Sequence, residues 1–235
     1  MHSPESQQLT LSLSAKPQFS FDNFLVSPLN HTIVAQLKHF VAQPGEGCCY
    51  VYGAKGSGKS HVLQACCQLA TQQSINAMYL PLNIVQRYSP SVLDNLEHYQ
   101  LIAIDDVQVV AGNAAWEEAL FHLFNRVMTT GQRLLISGNE AIKTLPIKLP
   151  DLTSRLASGL SIRLFALTES EVREVLQQRA QQVGLVMSGG VIEFLLKRLQ
   201  RDMSTLSDMF AKLDQASLSA KRKLTVPFVK KVLEL

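Results

Sequence analysis

Eight consecutive residues, Gly53-Ala54-Lys55-Gly56-Ser57-Gly58-Lys59-Ser60, fit the pattern G-x-x-x-x-G-K-[ST] at every fixed position. No other feature restricts the fold of this chain as much. The run before the loop, Cys48-Cys49-Tyr50-Val51-Tyr52, is apolar and partly aromatic and reads as a buried strand. The run after it, from His61 to Ala70, carries apolar residues at helical spacing. Strand, glycine loop and helix form the arrangement that phosphate binding needs. The glycines let backbone N–H groups turn inward, and the helix N-terminus adds its positive end. In that arrangement Gly53 through Ser60 cradle phosphates, Lys59 reaches the outer ones, and the Ser60 hydroxyl is a ligand for Mg²⁺.

From Phe19 onward, strand and helix signals alternate. Residues 33–41 read as a helix and residues 76–81 as a strand stopped by Pro81. Residues 101–106 form a near-continuous apolar strand that ends in two carboxylates, Asp105 and Asp106. Residues 116–129 are an amphipathic helix, and residues 132–139 are another buried strand. Residues 161–165 are the last strand candidate. Strands without polar alternation, separated by helices, predict an α/β fold: a parallel five-stranded sheet covered on both faces.

After that the texture changes. Thr168-Glu169-Ser170-Glu171 has the spacing of a capping box and opens a helix that should stop near Gly184. A second helix is expected after Gly189-Gly190, with Val191, Phe194, Leu195 and Leu199 on its apolar face. A third is expected over residues 204–220, and a fourth opens at Pro227. The expected organisation is a flexible polar tail over residues 1–17, an α/β domain over 18–166 and an all-helical domain over 167–235.

Composition narrows the setting. The chain has 235 residues, with 22 Lys and Arg against 19 Asp and Glu, for a formal charge of +3. That balance does not suit a dedicated duplex binder. Its basic residues gather late, at Lys197, Arg198, Arg201, Lys221-Arg222-Lys223 and Lys230-Lys231. They read as a solvated helical face, or alternatively as a contact for nucleic acid. No apolar run is long enough to span a bilayer, and the N-terminus lacks the pattern of a secretory signal, so a cytoplasmic protein is expected. The cysteines lie as two adjacent pairs, Cys48-Cys49 and Cys66-Cys67, which is not metal or redox spacing. They read as buried thiols of a reduced protein. No metal site other than that of Mg²⁺ is expected.

Several residues carry candidate chemistry. An acid at the end of a strand downstream of a phosphate loop holds Mg²⁺, usually through water, which points to Asp105. Asp106 is then the group that polarises an attacking water. Its side chain is one methylene shorter than Glu, so slow hydrolysis is expected. Asn139 either sits near the γ-phosphate or forms a turn after Gly138. Arg155 is either a surface residue or a finger for a neighbouring subunit.

The phosphate loop, the Ile104-Asp105-Asp106 and Asn139 strand ends, Asp151-Leu152-Thr153-Ser154-Arg155-Leu156 and a helical lid together resemble the AAA+ family. More narrowly they resemble the DnaA-type replication initiators, over roughly residues 19–235. Phe21-Asp22-Asn23-Phe24 is similar to the lead-in of that nucleotide domain, so the resemblance implies that Phe24, with His61 after the loop, lies at bound ATP or ADP. It implies a lid arginine as well. Ser204 stands where that arginine is expected, with Arg201 one turn earlier. Phe121 and Asn125 match a helix that faces the neighbour in AAA+ assemblies, so they are a partner contact or else core and surface. In the tail, Gln8-Leu9-Thr10-Leu11-Ser12-Leu13 is similar to the peptide by which replication proteins bind the polymerase sliding clamp. The glutamine amide gives a hydrogen-bonding head, and Leu9, Leu11 and Leu13 supply spaced apolar anchors.

The chain has room for neither the N-terminal partner domain nor the helix-turn-helix DNA-binding domain of an initiator. The resemblance is therefore to the DnaA-homologous regulators that inactivate the initiator. It implies an ADP-bound, clamp-associated negative regulator of chromosomal replication, with Arg155 acting in trans on the ATP of DnaA. Its partners would be DnaA, the clamp and, through the clamp, DNA, with no membrane and with self-association left open. It would sit in the bacterial cytoplasm, associated with the nucleoid. The alternatives are an autonomous AAA+ ATPase, such as a helicase loader on single-stranded DNA, and a nucleotide-binding scaffold without hydrolysis.

Overall fold

The computed structural model describes residues 19–22, 24, 26–43, 47–96, 98–182, 187–198 and 225–233. Gln8, Leu9, Leu11 and Leu13, the lid residues Arg201 and Ser204, Leu199, Gly184 and the third lid helix expected over 204–220 lie outside them.

Five strands, β1 (Cys48–Tyr52), β2 (Ala77–Pro81), β3 (Leu101–Asp105), β4 (Arg133–Gly138) and β5 (Leu160–Arg163), pair in parallel in the order β2-β3-β4-β1-β5. β3 and β4 are buried along their whole length, as strands covered on both faces must be. Ile102 and Ile104 face one layer, with Leu134, Ile136 and Tyr50, while Leu101, Ala103, Leu135, Cys49 and Val51 face the other.

The second layer is built by α1 (His31–Ala42) and α2 (Lys59–Gln72). The first is built by α3 (Leu82–Val85), α4 (Ala114–Thr130) and α5 (Pro150–Ala157). Asn113 caps α4, accepting from the Trp116 amide, and Gly131 ends the helix at a φ of 69°. Helix α4 thus starts two residues earlier than its apolar periodicity predicts, because the cap and not the first apolar residue sets the start. Buried Arg133 donates to the carbonyls of Phe40 and Val41, satisfying orphan acceptors at the end of α1. Asn30 clamps the backbone after β5, donating to Phe165 O at 2.8 Å and accepting from Phe165 N at 3.1 Å.

Among the described residues, the helical unit comprises α6 (Glu169–Gln182), α7 (Gly189–Arg198) and α8 (Val226–Leu233), packed around Val172, Leu176, Val191, Leu195 and Val229. The capping box forms as its spacing requires: Thr168 N donates to Glu171 Oε2 at 2.7 Å, and Glu171 N to Thr168 Oγ1 at 3.3 Å. Hydrogen bonds from Ser27 and Thr168 hold the Glu171 carboxyl below its usual range. Helix α7 includes both glycines that were expected to precede it. Among the described residues, no helix is long and apolar enough to cross a membrane.

The four cysteines are free and buried, and burial pushes the Cys48 and Cys67 thiols up to about 12. They are packing residues of β1 and α2.

Candidate functional site

The carboxyl ends of β1, β3 and β4 lie side by side, with Tyr52 opposite Gly138 and Pro81 opposite Asp105. A crevice at this edge is where open parallel sheets bind ligands. The phosphate loop leaves β1 here and runs into α2. Gly58 has a φ of 93°, and a Cβ on it would stand 2.8 Å from the Phe24 ring. A Cβ on Gly53 would stand 2.2 Å from Leu164 O. Only glycine allows both the inward turn and this packing.

The crevice has a volume of about 320 Å³ and is lined by Phe19, Lys55, Gly56, Gly58, Lys59, Ser60, His61, Gln64, Asn83 and Asp106. The Lys59 ammonium donates to Gly53 O at 2.8 Å and Ala54 O at 3.1 Å, so it is folded back across its own loop. Ser57 Oγ is buried inside the loop with no partner among the described residues. Inward glycines, a lysine folded over the loop carbonyls and an orphaned hydroxyl fit a phosphate chain.

The two acids have separate roles. Asp105 is 2% exposed and each of its oxygens accepts from one protein hydroxyl: Tyr79 donates to Oδ2 at 2.7 Å, and Ser137 donates to Oδ1. Each oxygen keeps one lone pair for a water or an ion. Asp106 lies outside the strand in left-handed backbone, with φ 62° and ψ 52°, and its side chain lines the crevice. Its amide donates to Ser137 Oγ at 2.9 Å, and Gln108 donates to its Oδ1 at 2.8 Å. Burial, then the neighbouring Asp105 charge, pushes its carboxyl above the usual range. The sequence reading that both acids belong to the strand is therefore corrected: β3 ends at Asp105, and the backward twist at Asp106 turns the second carboxylate toward the loop.

The other expected residues distribute as follows. His61 is buried between Phe19 and Phe24, ring centroids 5.1 and 5.2 Å away, and its Nε2 lies 3.0 Å from Ser20 O. Phe24 lies behind the loop and Phe19 forms the crevice wall. Asn139 is exposed and falls one residue past β4, which ends at Gly138; its amide donates to Gln108 Oε1 at 3.2 Å. Arg155 is exposed on α5 and does not line the crevice. Phe121 and Asn125 are half-buried on α4, and Phe121 borders a second hollow of about 390 Å³ with Ala114, Glu117 and Leu149. Sequence reasoning missed Tyr79 and Ser137, which look like ordinary strand residues, and Asn83 and Gln64, which line the crevice.

The family described as the bacterial DnaA ATPase domain matches residues 15–165. The chain belongs to that family. The description "Hda, lid domain" matches residues 169–233, so this DnaA-like AAA+ protein carries a lid of the Hda type. Domain III of the Thermotoga maritima replication initiation protein DnaA is similar at 22% identity, with a TM-score of 0.74 over 94% of this chain and 97% of that one. The replication initiator DnaA bound to AMPPCP and single-stranded DNA is similar at 18% identity, with a TM-score of 0.71 over 88% and 69%. The Thermotoga maritima RuvB branch-migration motor is similar at 16% identity, with a TM-score of 0.62 over 92% and 71%. At such identities the likeness to these structures is one of fold.

Proposed function

We propose that this chain is a nucleotide-carrying negative regulator of replication initiation that promotes ATP hydrolysis on a neighbouring DnaA initiator. ADP with Mg²⁺ occupies the crevice. The loop amides from Gly53 to Ser60, Lys59 and His61 would hold the nucleotide, with Phe24 supporting the loop from behind at Gly58. Ser60 and Asp105 would hold the cation, which would supply neutralisation of phosphate charge. Asp106 and Asn139 would serve the terminal phosphate, and Arg201 is the lid residue assigned to the nucleotide by the family resemblance. The Gln8–Leu13 peptide of the tail, spanning residues 1–17, docks on the sliding clamp, ahead of a nucleotide domain over 18–166 and a lid over 167–235. The protein works in the cytoplasm, where the clamp sits on DNA.

One observation carries this reading. Arg155 stands exposed on α5, away from the chain's own crevice, and its guanidinium has no hydrogen bond or ion pair among the described residues. An arginine so placed cannot stabilise charge on its own nucleotide, and it is free to reach that of a neighbour. The hollow at Phe121, bordered by Leu149 at the start of α5, supports a neighbouring subunit, with Asn125 one turn further along α4. The AMPPCP carried by the structurally similar initiators supports a nucleotide in the crevice. Intrinsic turnover is weak, because Asp106 is short and already engaged by Gln108.

The test is a hydrolysis assay on ATP-loaded initiator with clamp on primed DNA, with and without this chain. Accelerated loss of ATP in its presence is expected. An unchanged rate would reject the regulatory reading. Brisk turnover by this chain alone would replace it with an autonomous ATPase.

A further inference from the structure

Glu117 is a glutamate on an amphipathic helix, where solvent exposure is the ordinary outcome, yet it is 1% exposed. A buried carboxylate is costly unless its oxygens are filled. Here they are filled entirely by backbone amides. Oε1 accepts from Gly112 N at 2.6 Å and Lys148 N at 3.1 Å. Oε2 accepts from Lys148 N at 3.0 Å and Leu149 N at 2.9 Å.

Lys148 and Leu149 directly precede Pro150, the first residue of α5. Leu149 is the N-cap residue and has no side-chain group to cap with. The carboxylate of another helix takes that place, and its charge stands at the positive end of α5 as well as in the first turn of α4. Leu152 and Leu156 bury the inner face of α5 at one turn's spacing. Apolar burial is non-directional, so it sets which face is down and leaves the helix free to slide or rotate slightly. Directed bonds to two successive amides remove that freedom. Arg155 lies on this short helix, and Phe121 lies one turn beyond Glu117 on α4.

We infer that Glu117 is the positioning residue for Arg155: it locks α5 to α4 and so sets the direction in which the guanidinium leaves the domain. The inference deepens the proposed regulatory function and rests on it. Displacing a reacting group by about 1 Å is enough to reduce rate up to about a hundredfold while binding persists.

The test measures initiator ATP hydrolysis, with clamp on primed DNA, across a range of concentrations of this chain. For Glu117→Gln, the maximal stimulated rate is expected to fall by about tenfold or more, while the half-saturating concentration and ADP affinity stay within about twofold. A core variant of the same layer, Leu123→Val or Leu123→Ala, is matched to it in melting midpoint and is expected to retain the maximal rate. Full stimulation by Glu117→Gln, or an equal loss in the matched core variant, overturns the inference. Should Glu117→Gln fail to fold, Leu149→Pro decides. It deletes one donor from the other side of the contact, at a φ of −84° that proline adopts. A lowered maximal rate supports the inference, and an unchanged one overturns it. Arg155→Ala is run in parallel. If that variant also stimulates fully, the regulatory reading itself has failed; if it alone is inactive, only the positioning role has.

Discussion

Replacing Tyr79 by Phe deletes a single oxygen, the one that donates to Asp105 Oδ2 at 2.7 Å. The carboxylate is buried, so no bulk water replaces the donor. A hydrogen bond to a charged group contributes about 1.5–3 kcal/mol. The variant also removes the cost of burying a hydroxyl, about 0.5–2 kcal/mol. The net loss is therefore about 1 kcal/mol, which for a chain of this length lowers the melting midpoint by about 2–4 °C. The ring stays packed on β2, so the fold is retained. The second consequence is functional. With one oxygen unpinned, Asp105 is free to rotate away from the position proposed to serve Mg²⁺, and loss of such an outer partner is expected to weaken metal binding by about tenfold or more. Calorimetry of ADP binding with Mg²⁺ and with chelator separates the two effects: affinity should fall in Mg²⁺ and stay constant in chelator. A Tyr79→Phe protein that melts with the wild type and keeps its Mg²⁺-dependent affinity would refute the reasoning.

Lys59→Ala removes an ammonium that lines the phosphate cradle, and ADP affinity is expected to drop at least tenfold, about 1.4 kcal/mol, by calorimetry; equal affinities would contradict the crevice assignment. Asp106→Asn tests electrostatic strain in the nucleotide-free protein. Burial, then Asp105, raises the Asp106 carboxyl from its usual 3.8, so its favourable contribution is complete below that value and is lost as pH rises through the raised one. Asn also tolerates left-handed backbone, so the variant should melt higher than wild type at pH 7 and no higher near pH 3.5; a lower midpoint at pH 7 would count against that sign. Gln8→Ala with Leu11→Ala should abolish capture by immobilised clamp and leave the melting curve unchanged, and retained capture would remove the clamp from the proposal.

The elements nearest the phosphate loop were legible because each carries a strong local signal. β1 runs over the residues its apolar run predicts, and the capping box at Thr168 and Glu171 opens α6 as its spacing requires. The buried runs of β3 and β4 announce a parallel sheet, yet periodicity holds no record of strand order, such as the place of β1 between β4 and β5. The site was half legible. Lys59, Ser60, His61 and Asp106 gather in one crevice, whereas the turn at Asp106 depends on an amide bond to Ser137, distant in sequence. Tyr79, Ser137 and Glu117 escaped notice for a shared reason: a polar residue inside an apolar strand or an amphipathic helix has no local mark of what it will meet across the fold.

The most direct test of the central claim is single-turnover hydrolysis by ATP-loaded initiator, with clamp on primed DNA, comparing wild type, Arg155→Ala and Arg155→Lys. A finger that stabilises the transferring phosphoryl group in trans acts on rate and leaves this chain's own ADP affinity alone. The account predicts normal ADP and clamp binding for both variants and a loss of stimulation on the order of a hundredfold or more for Arg155→Ala. Lysine restores little of it, because it lacks the planar fork. Full stimulation by Arg155→Ala would contradict the account.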